Sequence, residues 1–387
     1  MLNNLIKIRN GLFKGFYKIV LKPIFFSFDP EVVHDRMIGA GKLIGKFKLL
    51  RKFTWWQFGY KNKVLEQNLL GLKFVSPVGL AAGFDKNAEL TGVLPELGFG
   101  FAELGSVTGE PCVGNPKPRL WRLKKSESIV VYYGLKNDGA EVLSAKLSKL
   151  LANRQGRARD FVYGVSVAKT NCSATVDLEA GIDDYLKAYR LMQPVADYIT
   201  INISCPNAFG GQPFTDGKRL EKLLEKLDKF YNKKCPVLVK ISPDLSMDQV
   251  DEILDVCDRF RVDGYVCTNL TKIREYDKIK DANVPEVGGL SGKLVSNKSD
   301  DLIAHVYQKT RGKKLIVGVG GVFSARDAYA KIRLGANLVQ LITGMIFEGP
   351  ATIADINLGL VELLKKDGFK SISEAVGKGV SKGGDKF

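Results

Sequence analysis

From residue 64 onward, short apolar runs alternate with stretches whose hydrophobic positions recur every three or four residues. The runs near 77–81, 99–104, 162–167, 197–201, 236–241, 262–267, 315–319 and 337–341 have the length and β-branched character of buried strands. Helical periodicity falls between them at 87–97, 138–152, 182–193, 218–231, 246–258, 297–310 and 324–333, with a closing helix at 351–366. Eight β/α units in about 300 residues predict an α/β fold, a TIM (β/α)8 barrel. An open doubly wound sheet is the competitor, but no Gly-x-Gly-x-x-Gly follows the first run. The long intervals 106–136 and 269–296 follow strand ends and are predicted as loops over the barrel mouth.

The first sixth of the chain is patterned differently. Leu5, Ile8, Leu12, Phe16 and Ile19 recur at three- and four-residue steps with Lys7, Arg9, Lys14 and Lys18 between them, as in an amphipathic helix. Asp29 and Pro30 read as the N-cap and first position of a second helix, running to about Gly45. Phe47, Leu49, Leu50, Phe53, Trp55, Trp56, Phe58 and Tyr60 then form an aromatic, basic segment. This pattern suits a helix hairpin lying in a membrane surface. A helical cap packed on the main domain fits the same pattern nearly as well. The expected division is residues 1–62 as an N-terminal helical membrane-associated extension, 63–370 as the barrel, and 371–387 as a basic tail. The Gly/Ser/Lys-rich end from Gly377 is expected to be disordered.

Charge sharpens the view of that extension. The 387 residues carry a net +16, and residues 1–63 hold thirteen Lys and Arg against Asp29, Glu31 and Asp35, a net +10. So local an excess points to an anionic surface, membrane or nucleic acid. No signal peptide is apparent, and the apolar run 24–28 is far too short to span a bilayer. Six cysteines at 112, 172, 205, 235, 257 and 267 show no CxxC pair and no metal spacing, so reduced cytoplasmic thiols and no metal site are expected. The two histidines, His34 and His305, lie outside polar clusters and read as structural.

In a barrel, chemistry belongs at the C-terminal strand ends. The richest end is 199–207, where Ile199, Thr200 and Ile201 give way to Asn202, Ser204, Cys205 and Asn207. Amides there supply paired donors and acceptors for a planar polar molecule, and a thiol can serve as base or nucleophile. A surface loop rich in Asn is the plainer reading. Other ends bring Ala82, Gly83 and Lys86, then Ser106, Ser166, Lys240, Thr268 with Asn269, Gly320 with Gly321, and Thr343 with Gly344. The last two pairs, each before a helix, suit a phosphate. Lys240 is either a snorkelling lysine or a cation beside a group that becomes anionic, as a reduced flavin does at N1/O2. FMN redox chemistry is the reading that uses all these parts.

The motifs GLAAGFDKN, GNPKPRLWRL, INISCPN, VLVKISPDL, GGLSGK, VGVGGV and GANLVQLITG together resemble the dihydroorotate dehydrogenase family over about residues 20–365. LKPIFFSFDPEVVH is similar to the membrane-associated, quinone-dependent class, whose N-terminal helix pair forms a quinone tunnel. The resemblance implies FMN held by Ala82, Gly83, Lys86, Ser106, Asn202, Lys240, Thr268, Gly292, Gly321 and Thr343. Ser166 stands where the family has an asparagine near the flavin. It implies a pyrimidine against Lys86, Asn202, Asn207 and Asn269, with Cys205 in the catalytic-base position. Serine is usual there in the quinone-dependent class and cysteine in the soluble ones. Two further departures touch the substrate. Val131 replaces an amide in the family's Asn-Arg-x-Gly-Phe-Asn-Asn, and Leu270 replaces a Ser/Thr. The implied activity is oxidation of dihydroorotate to orotate with electrons passed to quinone, in pyrimidine biosynthesis, peripherally at the cytoplasmic membrane face. A divergent FMN oxidoreductase acting on another dihydropyrimidine-like substrate stays open, as does a flavin-binding protein that has lost turnover. No nucleic acid is expected, because the basic charge concentrates in an amphipathic segment rather than around a barrel mouth.

Overall fold

The computed structural model describes residues 2–153 and 156–380. All eight predicted strands form: β1 Val78–Leu80, β2 Phe101–Val107, β3 Val162–Val167, β4 Tyr198–Asn202, β5 Val237–Ile241, β6 Gly264–Cys267, β7 Leu315–Val319 and β8 Leu338–Leu341. They pair in parallel, in sequential order, and β8 beside β1 closes the barrel. Every residue of β2, β3, β4 and β5 is buried, because helices cover one face and the barrel interior takes the other. Inward side chains of Phe101, Val162, Tyr198, Leu238 and Val317 form a central apolar cluster. Outward ones such as Leu104, Val165, Ile199 and Val239 pack with the helix ring. A small hairpin, Gln67–Leu69 with Leu72–Phe74, plugs the lower end, and Phe74 meets the Phe101 ring edge-on at 5.4 Å. At Gly79 a Cβ would lie 2.4 Å from that ring, so this position of β1 admits only glycine.

Seven of the eight predicted helices form. The exception is 87–97, which is irregular apart from the short 3-10 turn Leu94–Leu97. The buried Asp85 carboxylate takes the Glu89 and Leu90 N–H groups at 2.8 Å each, Ala88 turns to φ 53°, and Pro95 follows. The side chain outcompetes the helix for its first donors. The intervals expected to be loops carry strands instead. Leu120–Leu123, Ser128–Val131 and Gly289–Gly292 build a three-stranded antiparallel sheet over the barrel mouth. The tail also begins later than expected. Ile372 and Ala375 are buried, and Gly377 and Gly379 donate to Ile332 and Arg333 carbonyls. The expected disorder of 381–387 concerns positions outside the described residues.

The N-terminal segment is helical throughout: α1 Leu2–Phe16, a π turn Tyr17–Leu21, α2 Lys22–Ser27, α3 Pro30–Lys46 and α4 Lys48–Phe58. The aromatic segment is thus itself a helix. Asp29 caps α3 as expected, accepting from Glu31 and Val32 N–H. The amphipathic pattern of α1 is real, but its polar side faces the barrel. Lys7 pairs with Glu362 at 2.6 Å, and Lys14 and Lys18 pair with Glu348 at 2.7 and 2.8 Å. Asn10 donates to Asp355 at 2.8 Å. The apolar stripe faces outward: Leu5, Ile8, Leu12, Phe16 and Ile19 are all exposed, as are Phe47, Leu49, Phe53 and Trp56 of the next helices. Among the described residues, no helix is long and apolar enough to cross a membrane.

Candidate active site

One cavity opens between the C-terminal strand ends and the antiparallel sheet above them. Ala82, Gly83, Lys86, Ser106, Asn202, Cys205, Asn207, Lys240, Thr268, Asn269, Gly292, Gly321 and Thr343 all line it. Ser166 does not. It lies one layer deeper, fully buried, with its hydroxyl 2.7 Å from that of Ser106.

The walls are tied strand to strand. Gly83 N–H donates to the Gly105 carbonyl at 2.7 Å and Gly105 N–H to that of Asp85 at 3.1 Å, locking the ends of β1 and β2 together. At the end of β4, Asn202 donates to Ser106 Oγ at 2.9 Å and accepts from Asn269 Nδ2 at 3.1 Å, linking β2, β4 and β6 through amides. Asn207 donates to the Val131 carbonyl at 2.8 Å, so the loop after β4 hangs from the covering sheet. Gly292, at φ 90°, passes so close that a Cβ would meet the Glu127 carbonyl at 2.6 Å. Next to it Ser291 and Thr343 share a hydroxyl bond at 2.9 Å.

Several polar groups in these walls have no partner among the described residues. Lys240 is 5% exposed, and its ammonium has neither hydrogen bond nor ion pair. Asn207 Oδ1 and Gln340 Oε1 are buried and unpaired. The Gly321 N–H meets no acceptor. Such groups are costly unless a ligand completes them. A cation, free acceptors for N–H edges, and backbone N–H groups beside hydroxyls at the far end match a flavin ring and its phosphate. The residues therefore fit FMN.

Two cavity groups have perturbed ionisation. Burial, with Lys136 second, lowers Lys86 to about 8, and its Nζ sits 4.0 Å over the Tyr133 ring. Burial pushes the Cys205 thiol up, while the Asn207 N–H, Lys240 and Lys169 pull it down only in part.

Three features went unread in the sequence. His34 of α3 lines the cavity and bonds the Phe84 carbonyl at 2.9 Å, although it lies outside any polar run. Tyr133, in the altered Val131–Asn137 stretch, stacks beneath Lys86. Glu31, one turn before His34, forms a buried pair with Arg119 at 2.8 Å that fastens α3 to the covering sheet. Burial alone would raise the Glu31 carboxyl, but Arg119 and Lys117 outweigh it and hold it below its ordinary value. A carboxylate lowered on folding adds stability that is complete above its unfolded pKa and drains away as pH falls through the folded one. Arg119→Leu is expected to cost about 3–5 kcal/mol and to weaken the acid limb of stability below about pH 5. Urea midpoints measured against pH check both, and a loss under about 1 kcal/mol would contradict the buried pairing.

The comparisons with known proteins agree with one another. The sequence model of the family described as dihydroorotate dehydrogenase matches residues 64–364. A dihydroorotate dehydrogenase (quinone) of Gloeobacter violaceus is 39% identical, covering 92% of this chain and 97% of the relative. One of Trichodesmium erythraeum is also 39% identical, over 93% and 98%. Among solved structures, the Eimeria tenella enzyme in complex with ferulenol superposes with a TM-score of 0.79 at 30% identity, covering 90% of this chain and 95% of that one. With a family match across the barrel and relatives alike over nearly their whole length, the chain belongs to the dihydroorotate dehydrogenase family.

Proposed function

We propose that this protein is a quinone-dependent dihydroorotate dehydrogenase, oxidising dihydroorotate to orotate in pyrimidine biosynthesis and passing the electrons to quinone. The observation that carries the reading is the unpartnered Lys240 ammonium in a cavity that His34 of the N-terminal helical segment also lines. FMN, when bound, supplies hydride acceptance from the substrate's C6 and electron transfer to quinone. The residues of the chain supply the rest. Asn202, Asn207 and Asn269 present amides to a planar ring, and the thiolate of Cys205 removes the C5 proton. Lys240 stabilises negative charge as it develops, and Lys86 faces the substrate carboxylate. The carrying experiment is anaerobic bleaching of the bound flavin by dihydroorotate, followed by reoxidation with a short-chain quinone. A protein that carries FMN yet is not bleached would end the reading.

Val131 and Leu270, both on the cavity wall, favour a second reading in which a related dihydropyrimidine is the substrate. Bleaching by such a compound and not by dihydroorotate would select it. For either anion, the charge on Lys86 matters. Lys86 at about 8 loses its proton as pH rises through that value. Orotate affinity is therefore expected to fall roughly tenfold from neutral to alkaline pH, the worth of one charged hydrogen bond. Flavin-difference titrations read it, and Lys86→Met should flatten the curve. A wild-type affinity flat across that range would remove Lys86 from the substrate site.

The N-terminal segment is proposed as the membrane and quinone module. Its outward Leu5, Ile8, Leu12, Phe47, Leu49, Phe53 and Trp56 offer an apolar face to a bilayer interface. Lys46, Lys48 and Lys52 carry no ion pair among the described residues and lie among those apolar groups, suited to lipid phosphates.

A further inference from the structure

A buried carboxylate that no step above uses lies in the middle of the barrel. Side chains along β2 alternate, so Phe101, Glu103 and Gly105 face inward. Phe101 belongs to the apolar cluster, Gly105 lines the cavity, and Glu103, 0% exposed, lies between them. Its Oε2 accepts from Tyr198 at 3.2 Å and Thr200 at 3.0 Å on β4, and from Gln340 at 3.2 Å on β8. Three donors converging on one oxygen suit an ionised carboxylate, which only accepts. Its other oxygen has no partner among the described residues. Barrel interiors are filled mainly by branched apolar side chains. A carboxylate there costs stability that a purely structural residue would not.

A cation stands one pleat above it. Thr200, which bonds Glu103, lies opposite Leu238, and Lys240 is the next inward residue of β5, opposite Asn202. Burial lowers the Lys240 ammonium, while Glu103 first and Cys205 second act to raise it. The charged or titratable groups acting on Lys240 are Glu103 from β2 and Cys205 from the loop after β4, with Lys86 and the neutral Thr268 lining the same cavity and Tyr198 of β4 bonded to Glu103. Burial raises Tyr198 and Cys205, so both keep their protons at neutral pH. Glu103 is left as the negative charge.

We propose that Glu103 is the counter-charge that keeps Lys240 ionised beneath the cofactor, so that the pair, rather than Lys240 alone, sets the flavin's reduction potential. Glu103 is thus a positioning residue, acting through Lys240, and the proposal rests on the flavin reading above. Midpoint potentials of the holoenzyme, measured by dye equilibration between about pH 6 and 9, test it. In Glu103→Gln, Lys240 is expected to shed its proton as pH rises. The reduced flavin is then disfavoured at least tenfold against wild type at the alkaline end, about 30 mV for a two-electron couple. In a Lys240→Met background the same change removes only a negative charge, and the potential moves upward. Opposite signs in the two backgrounds support the proposal. Shifts of one sign, or none with Lys240 present, overturn it while leaving FMN binding intact. A protein that takes up no FMN overturns the flavin reading and this proposal together. Should Glu103→Gln not fold, nitrogen NMR of the wild-type holoenzyme decides, with the Lys240 signal assigned by its loss in Lys240→Met. An ammonium persisting at pH 9 supports the proposal, and a neutral amine at pH 8 overturns it.

Discussion

Cys205→Ala is expected to keep its flavin and to reduce it about 10²–10⁴-fold more slowly, the usual worth of a positioned general base. The thiol lines the cavity beside Asn202 and Asn207, within the electrostatic reach of Lys240 and Lys169. Because burial outweighs those cations and raises the thiol, the reactive thiolate is a minority species at neutral pH. The wild-type rate of flavin reduction should therefore climb with pH through and beyond about 8.5, the unperturbed thiol value. Cys205→Ser should retain part of the rate with its rise displaced further toward alkali. Stopped-flow reduction across pH measures all three proteins. If the alanine variant keeps the wild-type rate, the thiol is packing and the proton leaves by another route.

Deleting residues 1–60 is expected to abolish turnover with quinone while dihydroorotate still bleaches the flavin. The deletion removes His34, which lines the cavity from α3, but none of the groups at the strand ends. It also uncovers Glu348, Asp355 and Glu362, the partners of α1, so retention of flavin must be verified first. The same protein should lose binding to vesicles of anionic lipid. A gentler variant, Leu49→Ser with Phe53→Ser and Trp56→Ser, alters exposed side chains and should weaken vesicle binding alone. Normal quinone reduction by the truncated protein would defeat the module reading.

The barrel was legible because its strands are buried on both faces and so appear as β-branched runs, Ile199 to Ile201 being the plainest. Most of the cavity lining followed, since strand ends converge wherever a barrel closes. What escaped was decided by distant partners or by side-chain competition. Helical spacing at 87–97 gave no sign that Asp85 would take the donors at its start. The period of α1 showed an amphipathic helix, but acids more than three hundred residues away chose which face turned inward. Ser166 has the right register for the site and the wrong depth, because Ser106 stands in front of it. The strands of the covering sheet are four residues each, too short for a two-residue period to register.

That sheet also governs when the site comes into existence. Gly289 pairs with Val131 and Gly292 with Ser128, so the hairpin of 120–131 waits for a partner about 160 residues downstream. Closing so long a loop adds little to the equilibrium cost, because that cost grows only as the logarithm of length. During synthesis, however, the chain emerges N-terminus first. The early hairpin leaves the ribosome with one edge unpaired, and an unpaired edge is a template for association with other chains. Gly321 and Thr343, which line the cavity after the last two barrel strands, emerge later still, after the last strand of the covering sheet. The ligand cage is therefore a property of the finished chain, and its roof hairpin waits for its partner strand through about 160 of the 387 residues of synthesis.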